Sequence, residues 1–224
     1  MSARPIRPAA LLRALAADER GASSFEFALI LPVLFLFLFG VIDVGGYAIR
    51  LNMLEKATQV GARMAVVTNP ADSGIGCNFV NGVTSNACST QYAQGTTIPA
   101  AALGKETCTG SGSVASPSVT CTCNATCPWS VSNDTTGFAK MVQRMNAVDP
   151  NIQPSNIKVE YRGSGLGYAG DPTGVQISPI ITVRLTGMKY KPIVGYIFYR
   201  NGGFALPDFA YSLTMEDGNG TRSN

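Results

Sequence analysis

The side chains whose type and spacing best suit covalent chemistry are six cysteines: Cys77, Cys88, Cys108, Cys121, Cys123 and Cys127. All lie in one polar stretch rich in Gly, Ser and Thr. An even number confined to such a segment points to disulfides formed in an oxidising compartment. Zinc fits less well, because Cys121, Cys123 and Cys127 make C-x-C-x3-C and lack the paired C-x2-C spacing of ribbons and knuckles. Many pairings are possible. Sequence proximity favours Cys77 with Cys88 and leaves the others open.

The rest of the catalytic repertoire is thin. The 224 residues contain no histidine, which removes His-dependent triads, His metal sites and His pH switches together. There is no G-x-S-x-G, no Walker sequence and no cluster of carboxylates. Gly165-Leu-Gly167-Tyr-Ala-Gly170 matches G-x-G-x-x-G, but Asp171-Pro172-Thr173-Gly174 follows it, and then a strand pattern. A dinucleotide site needs a helix N-terminus there to hold the pyrophosphate. The match reads as a glycine-rich turn. Asn124, Asn133 and Asn219 begin N-x-[ST] triplets, which arise by chance in a chain this rich in Asn and Thr. The expectation is a non-enzyme without cofactor or metal.

Two isolated acids bracket the organising stretch of the chain. Glu26 and Asp43 flank Phe27–Ile42, which carries no charge. With Asp43 allowed, the apolar run reaches Ala48 or Ile49, roughly the 20 residues a bilayer demands. Four arginines precede it (Arg4, Arg7, Arg13, Arg20) against Asp18 and Glu19, and Arg50 is the next cation. The positive-inside rule then keeps the N-terminus cytoplasmic and sends the C-terminal part across. Asp43 reads as an acid at the outer headgroup level rather than an intramembrane charge paired to a neighbouring subunit. Formal net charge is +3, and only 14% of residues are charged. No dense basic face exists for nucleic acid.

The elements that position these groups can be read in order. Residues 1–21 form a Pro/Arg/Ala-rich leader. A helix of about 45 residues follows, from Ser23 to Thr68, roughly 67 Å long at 1.5 Å per residue. Pro32 is expected to kink or loosen it. Its outer half shows Tyr47, Leu51, Leu54, Thr58, Ala62 and Ala65 at helical spacing, with Glu55, Lys56 and Arg63 off the stripe. Asn69-Pro70 ends it. Residues 69–132 lose periodicity and read as an irregular, disulfide-held insertion, with Trp129 covering a disulfide or the domain surface. Residues 133–224 read as an α+β domain. Asn133 or Asp134 caps a helix with Phe138, Met141, Val142, Met145 and Val148 on one face, stopped by Asp149-Pro150. Strands are expected at Ser155–Arg162, Val175–Met188 (irregular at Pro179) and Pro207–Glu216. Tyr190–Tyr199 reads as a short helix or a loop against lipid headgroups. The fold class is α+β: a transmembrane and stalk helix packed on a small antiparallel sheet.

G-A-S-S-F-E, Gly21 to Glu26, resembles the type IV prepilin processing site, where a peptidase cuts after the glycine and an acid stands at the fifth mature position. Glu26-Phe-Ala, the apolar stretch with Pro32, and Gly40-x-x-Asp43 are similar to the TadE/TadF-like pseudopilins of the tight-adherence (Flp) pilus system. The tract from Leu185 to Arg200 is similar to TadE-like C-terminal regions. The cysteine-rich insertion has no counterpart there. The resemblance implies cleavage between Gly21 and Ala22, pairing of Glu26 with the new N-terminal amine, and no catalysis. It implies as partners a prepilin peptidase, the inner-membrane assembly platform and other pilins. The implied location is the bacterial inner membrane, single-pass, with the C-terminal domain periplasmic, and a role in adhesion and biofilm formation.

Two other readings compete. In one, Phe27–Ile42 is a signal-peptide core cut after Gly46-Tyr47-Ala48, which fits the small-x-small rule. In the other, the helix is an uncleaved anchor for a disulfide-bonded surface-binding module unrelated to pili.

Overall fold

The structure, a computed structural model, describes residues 22–124, 126–171, 175–193 and 203–215. The expected leader with Gly21, most of the aromatic tract Tyr190–Tyr199, and the end of the third expected strand at Glu216 lie outside them.

Helix α1 spans Ala22–Val67, 46 residues, or about 69 Å. It runs on through Pro32 without interruption. Its two halves have different surroundings. From Phe25 to Val44 nearly every side chain is exposed, among them Phe37 at 72% and Val44 at 71%. From Leu54 onward, Leu54, Ala57, Thr58, Ala62, Ala65 and Val66 are buried. The expected stripe is thus buried from Leu54 on, while its first members Tyr47 and Leu51 are exposed and half-buried, and Glu55, Lys56 and Arg63 are exposed beside it.

The elements that follow are β1 (Asn78–Val80), β2 (Ala87–Tyr92), β3 (Lys105–Gly112), β4 (Pro117–Cys123), α2 (Thr135–Val148), β5 (Ile157–Arg162), β6 (Ile180–Leu185), β7 (Lys189–Tyr190), β8 (Phe204–Ala205) and β9 (Phe209–Thr214). Five of these form the main sheet in the order β4-β3-β5-β6-β9, antiparallel throughout. The expectation of a segment without regular structure between residues 69 and 132 is therefore corrected. It supplies an edge hairpin, β3–β4, to the main sheet, and a small parallel pair, β1–β2.

Register explains the correction. Cys121, Cys108, Val159, Val183 and Tyr211 form one row across the sheet, and Cys123, Glu106, Tyr161, Ile181 and Leu213 form the next. Both rows face the helices. On β3 the inward positions are Glu106, Cys108 and Gly110, so strand alternation is present without an apolar signature. Gly110 has no side chain because a Cβ there would run into Pro154 and Phe138. On the opposite face Glu160 pairs with Arg184 at 2.9 Å and Lys105 at 3.2 Å.

Both helices cover the inner face, α1 against β6 and β9 and α2 against β4. They also pack on each other, with Phe138, Met141, Val142 and Met145 of α2 all buried. Small residues allow the approach. A Cβ at Gly137 would collide with the carbonyl of Asn69. Of the two candidate caps, Asp134 is the one used, its carboxylate accepting from Thr136 N–H at 2.8 Å. Asn133 instead accepts from Cys121 N–H at 2.9 Å. Val175–Ser178 precedes the strand proper, which starts at Ile180 just after Pro179.

Candidate functional site at the membrane helix and its collar

The groups singled out by sequence separate into three places. The first is the start of α1. Gly21 lies outside the described residues, and Ala22 is the first residue of the helix. Glu26 follows four residues later and is exposed. An i, i+4 offset puts residues on one helix face, about 6 Å apart along the axis. A carboxylate one turn from a helix N-terminus also meets the positive end of the helix dipole.

The second place lies at the far end of the exposed apolar segment. Asp43, which its position set at the outer headgroup level, is held by residues of its own chain's sheet domain. Its Oδ1 accepts from Ile193 N–H at 2.6 Å, and its carbonyl accepts from the Tyr190 hydroxyl at 3.0 Å. Tyr47 stacks edge-on against Tyr190, ring centroids 5.6 Å apart. About two turns beyond Asp43, Arg50 forms an ion pair with Asp149 at 2.7 Å. Asp149 is fully buried at the C-terminus of α2. A carboxylate there opposes the helix dipole, so the guanidinium compensates both burial and dipole. Asp149 Oδ1 also accepts from Asn151 N–H at 3.0 Å. Together these contacts form a collar that fixes the sheet domain to α1 where the apolar segment ends. Sequence reasoning missed it because the partners lie 99 to 150 positions apart; the one available signal was the run of Tyr and Lys in Met188–Lys191.

The third place is the cysteine region. The pairs are Cys77–Cys88, as proximity favoured, with Cys108–Cys121 and Cys123–Cys127. Cys108–Cys121 spans directly opposite residues of β3 and β4, Cα atoms 3.9 Å apart. Glu106 lies beside it, its carboxyl and the two sulfurs within 4.8 Å of one another. The sulfurs are bonded to each other, so this trio offers a metal no thiolate.

Glu106 is fully buried and faces Asp72 and Trp129. Burial, then the adjoining Asp72, push its pKa up to about 9, and the nearby Trp129 indole opposes the shift. Glu106 thus carries a proton at neutral pH. Asp72 Oδ1 accepts two backbone N–H groups, Gly74 at 2.8 Å and Ser132 at 2.7 Å. Trp129, expected over a disulfide or on the domain surface, is buried in this polar core. Beside it, Tyr161 accepts from Ala71 N–H at 2.8 Å. The cluster ties the chain after α1 to the sheet.

The glycine-rich sequence forms a turn. Gly165, Gly167 and Gly170 all take positive φ, and Gly167 bridges to Ile177.

Residues 21–63 match the family model described as TadE-like protein. The match starts at the glycine before α1 and covers the exposed apolar segment, Asp43, Arg50 and the beginning of the buried stripe. No curated protein and no solved structure matches the chain. Within α1 lies one helix long and apolar enough to cross a membrane. Together these findings fit a membrane-anchored protein with a TadE-like segment.

Proposed function

We propose that this chain is a membrane-anchored minor pilin of a tight-adherence pilus. A prepilin peptidase would cut between Gly21 and Ala22, and the product would enter pilus assembly through α1. The sheet domain would stand in the periplasm or on the pilus surface and support adhesion and biofilm formation. The observation that carries this reading is the TadE-like match over residues 21–63, coincident with a helix whose lipid-length segment is bare of intramolecular cover.

The chemistry is electrostatic. Cleavage would leave an α-amine on Ala22, one helical turn from Glu26. The carboxylate could hold that amine or the amine of a neighbouring copy. In a low-dielectric surround an ion pair is favourable only when well formed, so the pairing would select one axial register between subunits. The chain contributes no catalysis of its own. Its partners would be the peptidase, the inner-membrane assembly platform and other pilins.

The collar argues against a secreted product. A cut after Ala48 would remove Asp43 and Tyr47, both bound to Tyr190 or its neighbours. An uncleaved anchor would retain the collar but would give Glu26 no amine to meet. Glu26→Ala tests the reading. The variant is expected to insert in the membrane at wild-type levels yet fail to enter pili, as read by fractionation of sheared filaments. Normal incorporation would contradict the role of Glu26.

A further inference from the structure

We infer that the collar contains a binding site for the phosphate headgroup of an anionic lipid in the outer leaflet of the membrane that α1 crosses. The inference rests on the transmembrane reading of α1 but not on cleavage or on pili.

A cleft of about 450 Å³ opens next to the collar, and its lining includes the polar residues Arg50, Asn151, Asn156, Lys189, Tyr190 and Lys191. Three of these six are cations and none is an acid. The two carboxylates near the cleft are both engaged: Asp149 is wholly buried behind Arg50, and Asp43 accepts from Ile193 N–H. Neither Lys189 nor Lys191 has an ion-pair partner among the described residues. Both are exposed. Three donors converging on one cleft without a carboxylate suit a phosphate rather than a metal or a cationic group.

The depth of the cleft selects the source of the phosphate. Phe25–Val44 is 20 residues, about 30 Å of helix, which matches the hydrocarbon core of a bilayer. Arg50 lies six residues further, about 9 Å beyond that edge, within reach of the headgroup layer. Tyr190 links the levels, lining the cleft while its hydroxyl donates to Asp43. Tyr47 and Tyr190 occupy the height of an interfacial aromatic belt.

Exposed apolar side chains neighbour the cleft residues in the chain and across β7–β8. Ile193 is 58% exposed and Phe204, paired with Tyr190 across β7–β8, is 47% exposed. Apolar side chains next to lysines are what a lipid headgroup and its first acyl carbons meet together; a free phosphate has no use for them.

Full-length protein reconstituted into vesicles tests this, with spin-labelled phosphatidylglycerol and phosphatidylcholine reporting relative association. Wild-type protein is expected to prefer phosphatidylglycerol. Each basic residue near the surface is worth about 1 kcal/mol, or about fivefold, so Lys189→Gln with Lys191→Gln should lower the preference by about tenfold or more. Equal association of the two lipids with wild-type protein, or an unchanged preference in the double variant, would overturn the site. A preference abolished by millimolar inorganic phosphate would mark a free-phosphate site and overturn the lipid assignment. Intact disulfides and unchanged Trp129 fluorescence establish that the variant is folded. Because this assay needs neither cleavage nor filaments, its failure would leave the minor-pilin reading untouched.

Discussion

The two halves of α1 share one backbone and differ in what their side chains touch. The first half, Phe25 to Val44, exposes phenylalanine, leucine and valine to its surroundings. The second half buries alanine, threonine, one leucine and one valine against α2 and the sheet. The half that is more hydrophobic is thus the half without intramolecular cover. Hydrophobicity in the first half answers a solvent, lipid or neighbouring helices. In the second half small size matters more, since Ala57, Gly61, Ala62 and Ala65 let α2 come close. A collar of polar contacts marks the border between them.

The comparison can be broken by truncating each half. Leu54→Ala removes a fully buried side chain and is expected to lower unfolding stability of the sheet domain by about 3 kcal/mol. Phe37→Ala removes a larger side chain that is 72% exposed, and should leave that stability within about 0.5 kcal/mol of wild type. Denaturant titration followed by Trp129 fluorescence reads both. Comparable losses would mean that the first half packs on the domain after all.

At the border, Arg50→Ala leaves buried Asp149 without its cation and is expected to cost about 3 kcal/mol. Arg50→Lys should recover part of this by keeping the charge. Removing Cys108–Cys121 as a pair of alanines should cost about 2 to 3 kcal/mol for a loop of this length. That loss would fall on the sheet side alone, leaving membrane insertion unchanged.

The sheet side should also respond to pH, through Glu106. Its carboxyl titrates near 4.5 in the unfolded chain and near 9 when folded. Between those values the unfolded chain releases a proton that the folded chain keeps. Stability therefore falls as pH rises from about 4.5 to about 9, and is fully present below that window. Asp72, Trp129 and Tyr161 face or adjoin the group. Glu106→Gln, which keeps the shape without the ionisation, is expected to flatten the slope in denaturation midpoints measured across that range. A smaller loss than at Leu54 or Arg50 is expected at Asp43→Asn, which keeps an acceptor for Ile193 N–H and loses about 1 kcal/mol of charge-assisted bonding.

Much of the helical part was legible because its burial follows a period of 3.6. Leu54, Thr58, Ala62 and Ala65 declared one face, and Phe138, Met141, Val142 and Met145 another, with Asn69-Pro70 and Asp149-Pro150 as stops. The three strands β5, β6 and β9 were legible by their alternating apolar residues. β3 and β4 were hidden because their inward residues are an acid, three disulfide cysteines, a glycine and one valine, held in the core by bonding and by close approach of α2. The collar was hidden for another reason: Asp43, Arg50, Asp149 and Tyr190 form no local pattern, and only the tertiary fold brings them together. Gly21, Ala22 and Glu26 stand out only through resemblance to a family, and the processing and assembly role proposed for them rests on chemistry that would occur after synthesis.

The most direct measurement is the N-terminal residue of the mature protein isolated from membranes of cells that carry the pilus system. The account predicts Ala22, with its amine one turn from Glu26. Ile49 would establish a secreted product that has lost its anchor, and Met1 or Ser2 an unprocessed one; either would contradict it.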